Sequence, residues 1–126
     1  MSLVQALDVD VACVPRVATG FGGGVAAHGE ICGALVGAVM ALGLVFGRDR
    51  ADDAQAKAAT SERVHRLLSP FEERFGSVRC IDLTGCDLLS PEGNALAREK
   101  DLHGKVCPQY VGFVAVEAFN LAGPSE

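Results

Sequence analysis

The sequence predicts one all-α domain over residues 1–126, a compact bundle of four to five helices around a central, apolar, glycine-rich helix. A chain of 126 residues has the size of a single domain. Apolar residues recur three and four positions apart in the segment 49–76, which is the spacing of a helix face. Six phenylalanines, one tyrosine and no tryptophan leave the core to alanine, valine, leucine and glycine, a composition that favours close helix packing.

The first two elements are a helix and a glycine loop. The spacing of apolar residues in the stretch "LDVDVACVPRVAT" fits either a strand or a helix. We favour a helix with Asp8 or Asp10 as its N-terminal cap. Residues 19–29, "TGFGGGVAAHG", form a loop, because three consecutive glycines lose too much backbone entropy inside a helix. The loop also fits the G-x-G-x-x-A pattern of dinucleotide sites, but no parallel strand follows it, so a structural turn is favoured.

The central helix is predicted from Glu30 to Phe46. Glu30 suits the positive end of the helix dipole, and Gly47 is a C-terminal stop. Small residues fall at every fourth position: Gly33, Gly37 and Ala41. We expect another helix to pack into this groove, so that a bulky residue at Gly37 costs about 1–3 kcal/mol. The apolar run is shorter than the roughly 20 residues that span a bilayer, so a buried helix is favoured over membrane insertion.

An amphipathic helix follows within residues 49–76. This segment is polar and rich in alanine apart from its periodic apolar residues. We expect the helix to be kinked or restarted near Pro70, because proline cannot donate the backbone hydrogen bond of a helix interior. Gly76 is predicted to end it.

The C-terminal part is predicted to be irregular until one last helix. Residues 77–94 show no regular spacing of apolar residues and are rich in turn-forming residues, and we expect one helical turn over 80–83. A charged segment, 95–103, comes next. The last helix begins near residues 105–108 and runs to about Leu121.

Charge and termini restrict the class of protein. The net charge is −5 and the basic residues are scattered, which argues against nucleic acid or an anionic membrane surface as a partner. The N-terminus has no basic region followed by an apolar one, so we expect no secretion signal and a cytoplasmic protein. Short apolar helices in a small chain leave surface that another copy can cover, and we therefore expect a homodimer.

The cysteines are the candidate chemical groups, at positions 13, 32, 80, 86 and 107. An odd number without an export signal favours redox chemistry, metal binding or simple burial over a disulfide framework. Cys32 falls in the first turn of the predicted central helix, where backbone N–H groups stabilise a thiolate, and Cys107 has the same place in the last helix. We expect Cys32 to be the most reactive sulfur if the glycine loop leaves it accessible. The alternative is that Cys32 is inert core.

Each of these two cysteines has a histidine four residues before it. The pairs are His28 with Cys32 and His103 with Cys107. On a continuous helix this spacing places both side chains on one face, which suits a metal site or an acid–base pair. The spacing is not the C-x-x-C that is typical of zinc sites.

Three stretches resemble the C_GCAxxG_C_C family of redox-active proteins: "ATGFGGGVAAHGEICGALVGAVMALGL", "FEERFGSVRCIDLTGCDL" and "GKVCPQYVGFVAVEA". The marks are C-G-A-x-x-G at Cys32–Gly37, F-G-S-x-x-C at Phe75–Cys80, and Cys107 at the start of the last helix. The family name implies a fourth cysteine ahead of the glycine loop. Cys13 lies too close to that loop, so the equivalent segment is lost or lies upstream. Cys86 matches no motif cysteine.

The resemblance implies redox activity without naming a substrate or a redox partner. We expect Cys32, Cys80 and Cys107 to converge and to carry thiol–disulfide exchange or electron transfer, while the other two cysteines lie apart. In the alternative interpretation the same sulfurs hold zinc or an iron–sulfur cluster, with His28 or His103 completing the ligand set. A third interpretation is a helical oligomerisation module without chemistry.

Overall fold

A computed structural model describes residues 12–123, and within them the chain is an all-α bundle. Its helices are α1 Val14–Ala18, α2 Gly33–Phe46, α3 Ala54–Phe75, α4 Cys80–Thr84, α5 Pro91–Lys100 and α6 Cys107–Ala122. A 3₁₀ turn, Thr19–Phe21, follows α1, and a π-helical turn, Leu102–Val106, precedes α6. The predicted all-α bundle with a central apolar helix is confirmed. The predicted caps Asp8 and Asp10 lie outside the described residues.

The core lies between three helices. α2 packs against α3 and α6, and α3 and α6 pack against each other. Their buried side chains form one apolar cluster: Leu35, Ala38, Leu42, Leu67, Phe71, Tyr110, Val114 and Ala118. The ring of Phe71 lies 4.8 Å from that of Phe75 and 5.9 Å from that of Phe113, centroid to centroid. Removal of this apolar surface from water is the main stabilising contribution to the bundle.

The central helix begins later than predicted. α2 starts at Gly33, so Glu30 lies outside it and is not a first-turn acid. Ile31 instead pairs with Arg79 in an isolated antiparallel bridge. The bridge uses the backbone groups on either side of Ile31, which keeps this segment extended. Gly47 follows the last helical residue, as predicted.

The amphipathic helix α3 is one continuous element that contains Pro70, so the predicted restart did not occur. Leu67 and Phe71 flank the proline and are fully buried. Their packing offsets the hydrogen bond that proline cannot donate. At the ends, the Asp53 carboxylate accepts from the N–H of Ala56 at 3.1 Å, and Gly76 adopts a left-handed φ of 86°.

Helix α5 was not predicted, because its apolar pattern is weak. Gly93 is its only buried residue. The signals for this helix are local ones at its start, since Ser90 is the cap and Pro91 the first helical residue. The Ser90 hydroxyl accepts from the N–H of Gly93 at 2.8 Å.

The small-residue groove of α2 is not filled as predicted. A Cβ built on Gly37 would have no described atom within 4 Å, so no helix of the described chain packs there. The expected cost of a larger side chain at Gly37 therefore does not apply within this chain. At Gly33 the nearest atom is the carbonyl oxygen of Phe21, at 3.3 Å. Among residues 12–123, no helix is both long and apolar enough to cross a membrane.

Candidate functional site

Three cysteines from separate segments line one cavity of about 630 Å³. Cys32 is the cap of α2, Cys80 is the first residue of α4 and Cys107 is the first residue of α6. Cys32 and Cys80 therefore lie at N-terminal ends of helices, where backbone N–H groups lack partners in a preceding turn. The same place was predicted for Cys107, but the π-helical turn continues directly into α6, and the N–H of Cys107 donates to the carbonyl of Leu102. The far wall of the cavity comes from α5 and the π-helical turn: Asn94, Ala97, Arg98, Asp101, Leu102 and His103.

The antiparallel bridge holds Cys32 beside the segment of Cys80. The N–H of Cys32 donates to the carbonyl of Val78 at 2.8 Å, and the N–H of Cys80 donates to the carbonyl of Glu30 at 2.7 Å. Side chains point alternately to the two faces of an extended segment. The side chains of Cys32 and Cys80 therefore lie on the face opposite to those of the bridged pair, Ile31 and Arg79. Two backbone hydrogen bonds thus fix two of the three sulfur positions.

Tyr110 connects the helix of Cys80 to the helix of Cys107. Its hydroxyl donates to the carbonyl of Leu83 in α4 at 3.0 Å, and its side chain also lines the cavity. Burial raises the pKa of the Tyr110 hydroxyl, and the sulfur of Cys107 raises it further, so the group remains a hydrogen-bond donor. The sequence analysis gave Tyr110 no role. The available signal was its position three residues after Cys107, on the same helix face.

The two remaining cysteines lie off the cavity wall. Cys13 is exposed. Cys86 is buried and lies nearer to the site than expected: its N–H donates to the Thr84 hydroxyl at 3.2 Å, and that hydroxyl donates to the carbonyl of Cys80 at 2.8 Å. Thr84 therefore ties Cys86 to the helix that carries Cys80.

The sulfurs affect one another electrostatically. Burial raises the pKa of the Cys80 thiol, and the neighbouring sulfurs of Cys32 and Cys107 raise it further. Burial also raises the pKa of Cys107, with additional contributions from Cys32 and Cys86. One negative sulfur in an apolar cavity disfavours a second one. At neutral pH, Cys80 and Cys107 are therefore mainly uncharged thiols.

The glycine loop forms the wall behind Cys80, in a left-handed conformation. Residues 23–27 all have positive φ, from 47° to 73°, and three of the five are not glycine. Such a conformation costs about 1–2 kcal/mol for each residue that has a Cβ. A Cβ on Gly24 would lie 2.5 Å from the nitrogen of Glu30 and 2.8 Å from the Cβ of Cys80. Gly24 thus allows the loop to pack directly on Cys80.

The two histidines have different positions. His103 lines the cavity, whereas His28 is exposed and its Nδ1 lies 2.9 Å from the carbonyl oxygen of Val25. Neither forms a continuous α-helix with its cysteine, because His28 is in the loop and His103 in the π-helical turn. The expected common helix face is therefore wrong for His28 and Cys32. His103 and Cys107 lie in consecutive helical turns and both line the cavity. Within the described range, no group of three or more histidine, cysteine, aspartate or glutamate side chains is arranged to hold a metal ion.

Comparison with known proteins identifies a family. The sequence model of a family described as "Putative redox-active protein (C_GCAxxG_C_C)" matches residues 1–120. The matched range contains every residue that lines the cavity. No curated protein and no solved structure matches the chain.

Proposed function

The chain belongs to this family of redox-active proteins, and we propose that it carries out thiol–disulfide exchange with Cys32, Cys80 and Cys107. The observation that supports the proposal is that three distant segments bring three cysteines to one cavity. Exchange requires an attacking thiolate close to a second sulfur. A third sulfur in the same cavity is placed to attack a newly formed disulfide from within the protein.

Cys107 is the proposed first sulfur to react. Cys32 and Cys80 are each only 9% exposed, whereas Cys107 is partly exposed. The expectation that Cys32 reacts first depended on access to solvent, and its burial removes that access. We infer that Cys107 forms the mixed disulfide with the substrate and that Cys32 or Cys80 resolves it.

The test uses reduced protein in a Cys13→Ser background, because Cys13 is exposed and lies off the cavity. The protein is treated without oxygen with a small disulfide, the remaining thiols are counted, and the linked peptides are identified by mass spectrometry. We expect two thiols of the cavity to be lost per chain as an internal disulfide. Cys107→Ser should greatly slow this loss. The double variant Cys32→Ser/Cys80→Ser should trap the mixed disulfide on Cys107, and the two single variants identify which of these cysteines resolves it.

Two outcomes would contradict the proposal. One is a Cys107→Ser protein that is oxidised at the parent rate with the same linked peptides. The other is protein purified without oxygen that contains a stoichiometric metal, or a visible iron–sulfur absorption, which the cysteine variants abolish. In that case the sulfurs act as metal ligands rather than as exchanging thiols.

A further inference from the structure

One wall of the cavity takes little part in the core. Helix α5 buries only Gly93, yet three of its side chains line the cavity. These are Asn94, Ala97 and Arg98, which share one helix face because they are three and four positions apart. A helix that lines a cavity while adding little to the core is well placed to contact a molecule that enters.

The dimensions of the cavity suit a small molecule. A volume of about 630 Å³ lies within the roughly 300–1,000 Å³ of small-molecule sites. Much of the lining is apolar: Leu83, Leu88, Ala97, Leu102 and Val111. Cys32 and Cys80 are nearly buried, whereas Cys107 is partly exposed, so a small disulfide reaches all three sulfurs while a disulfide on a folded protein reaches Cys107 alone.

One cation on the lining is available to bind an anionic group. Its ionisable side chains other than cysteine and tyrosine are Arg98, Asp101 and His103. Arg98 makes no ion pair with another described residue. The Asp101 carboxylate lies against Gly104, with Oδ2 2.5 Å from where a Cβ of that glycine would be. A guanidinium group with free donors binds a carboxylate through two parallel hydrogen bonds.

We propose that the cavity binds a small-molecule disulfide that carries a carboxylate, with Arg98 as its recognition residue. This inference rests on the proposed function. The Cys107 thiol gives its proton to solvent, the thiolate attacks one substrate sulfur, the substrate S–S bond breaks, and the leaving thiolate takes a proton. Cys32 or Cys80 then attacks the Cys107 sulfur and releases the second substrate thiol. Two electrons and two protons pass from two protein thiols to the substrate, and one protein disulfide forms.

The experiment compares four disulfides on reduced Cys13→Ser protein. The probes are 3,3′-dithiodipropionate, which has two carboxylates, neutral 2-hydroxyethyl disulfide, cationic cystamine and the protein disulfides of insulin. Each rate is divided by the rate of the same disulfide with dithiothreitol, a thiol without a charged substituent, which corrects for its intrinsic reactivity. We expect the dicarboxylate to react about 1.5 to 5 times faster than the neutral probe, the range for one partly exposed ion pair. Added salt should reduce this preference, and insulin should be the slowest.

Arg98→Gln tests the recognition residue. This variant should lose the preference for the dicarboxylate, so that the ratio of the dicarboxylate rate to the neutral rate falls to about one. Arg66→Gln is the matched control, because Arg66 is an exposed arginine of α3 that pairs with Glu62 away from the cavity lining. If the preference for the dicarboxylate survives in Arg98→Gln, or if insulin reacts as fast as the small probes, this inference is wrong but the proposed function is not contradicted. If no disulfide oxidises the cavity thiols, the proposed function and this inference are both wrong.

Discussion

The bundle has a regular core and an irregular cavity end, and both contain residues of α2. In the core, Leu67 and Phe71 of α3 pack in helical geometry between α2 and α6. At the cavity end the chain leaves the α-helix three times, in the left-handed loop, the antiparallel bridge and the π-helical turn. Costly backbone geometry persists only where neighbouring structure fixes it, and it is concentrated at functional sites. We therefore infer that the core provides stability and the cavity end provides chemistry.

Gly24→Ala gives the largest expected effect at the cavity end. The new Cβ would combine a left-handed φ with contacts of 2.5 Å to Glu30 and 2.8 Å to Cys80. We expect the free energy of unfolding to fall by about 2–4 kcal/mol, measured by urea denaturation. The pairing of the cavity thiols should change as well, because the displaced loop lies directly on Cys80.

Two control variants separate local strain from general loss of stability. Gly20→Ala should have little effect, since its Cβ would meet no atom within 4 Å and its φ is not positive. Leu67→Ala should cost a similar 2–5 kcal/mol by leaving a cavity in the core, while thiol exchange in the folded protein is retained. If Leu67→Ala alters the exchange as strongly as Gly24→Ala, the separation between the two regions is wrong.

The sequence predicted the core better than the cavity end, for a physical reason. Apolar spacing reports burial, so α2, α3 and α6 could be predicted to within a few residues. The left-handed conformation at Val25, Ala26 and Ala27 is held by backbone hydrogen bonds to the carbonyls of residues 20–22, and nothing in those three side chains indicates it. Helix α5 was missed because its role is to line a cavity, which leaves no apolar stripe.

Tyr110→Phe tests whether the two regions are mechanically connected. The ring keeps its place in the aromatic cluster, but the hydrogen bond from the hydroxyl to the carbonyl of Leu83 is lost. We expect a stability loss of about 1 kcal/mol and slower closure of any disulfide between Cys80 and Cys107. Closure is measured by rapid alkylation after oxidation. Phe113→Leu, a change in the same aromatic cluster, should not alter closure; an equal effect of both variants would show that Tyr110 acts only by packing.

A smaller effect is expected from pH. The thiols of Cys80 and Cys107 have raised pKa values in the folded state, chiefly through burial. The folded protein therefore holds these protons more tightly than the unfolded chain. This contribution to stability is complete below about pH 8.5, the ordinary thiol pKa, and is lost as pH rises through the folded-state values. The urea midpoint of unfolding should decline above that pH. The decline should be less steep in Cys107→Ser and as steep as in the parent protein in Cys13→Ser. A midpoint that does not change with pH would contradict the raised pKa values.

Gly37→Ala should have the smallest effect and the opposite sign to Gly24→Ala. Gly37 lies in the interior of α2 on an exposed face, and a Cβ there meets no described atom within 4 Å. Alanine restricts the unfolded chain and favours the helix, so we expect a gain of about 0.5–1 kcal/mol. The measurement is urea denaturation over a range of protein concentrations, with sedimentation equilibrium on the same samples. A concentration-dependent loss of stability, together with dissociation of a dimer, would instead place a second copy on the small-residue face of α2.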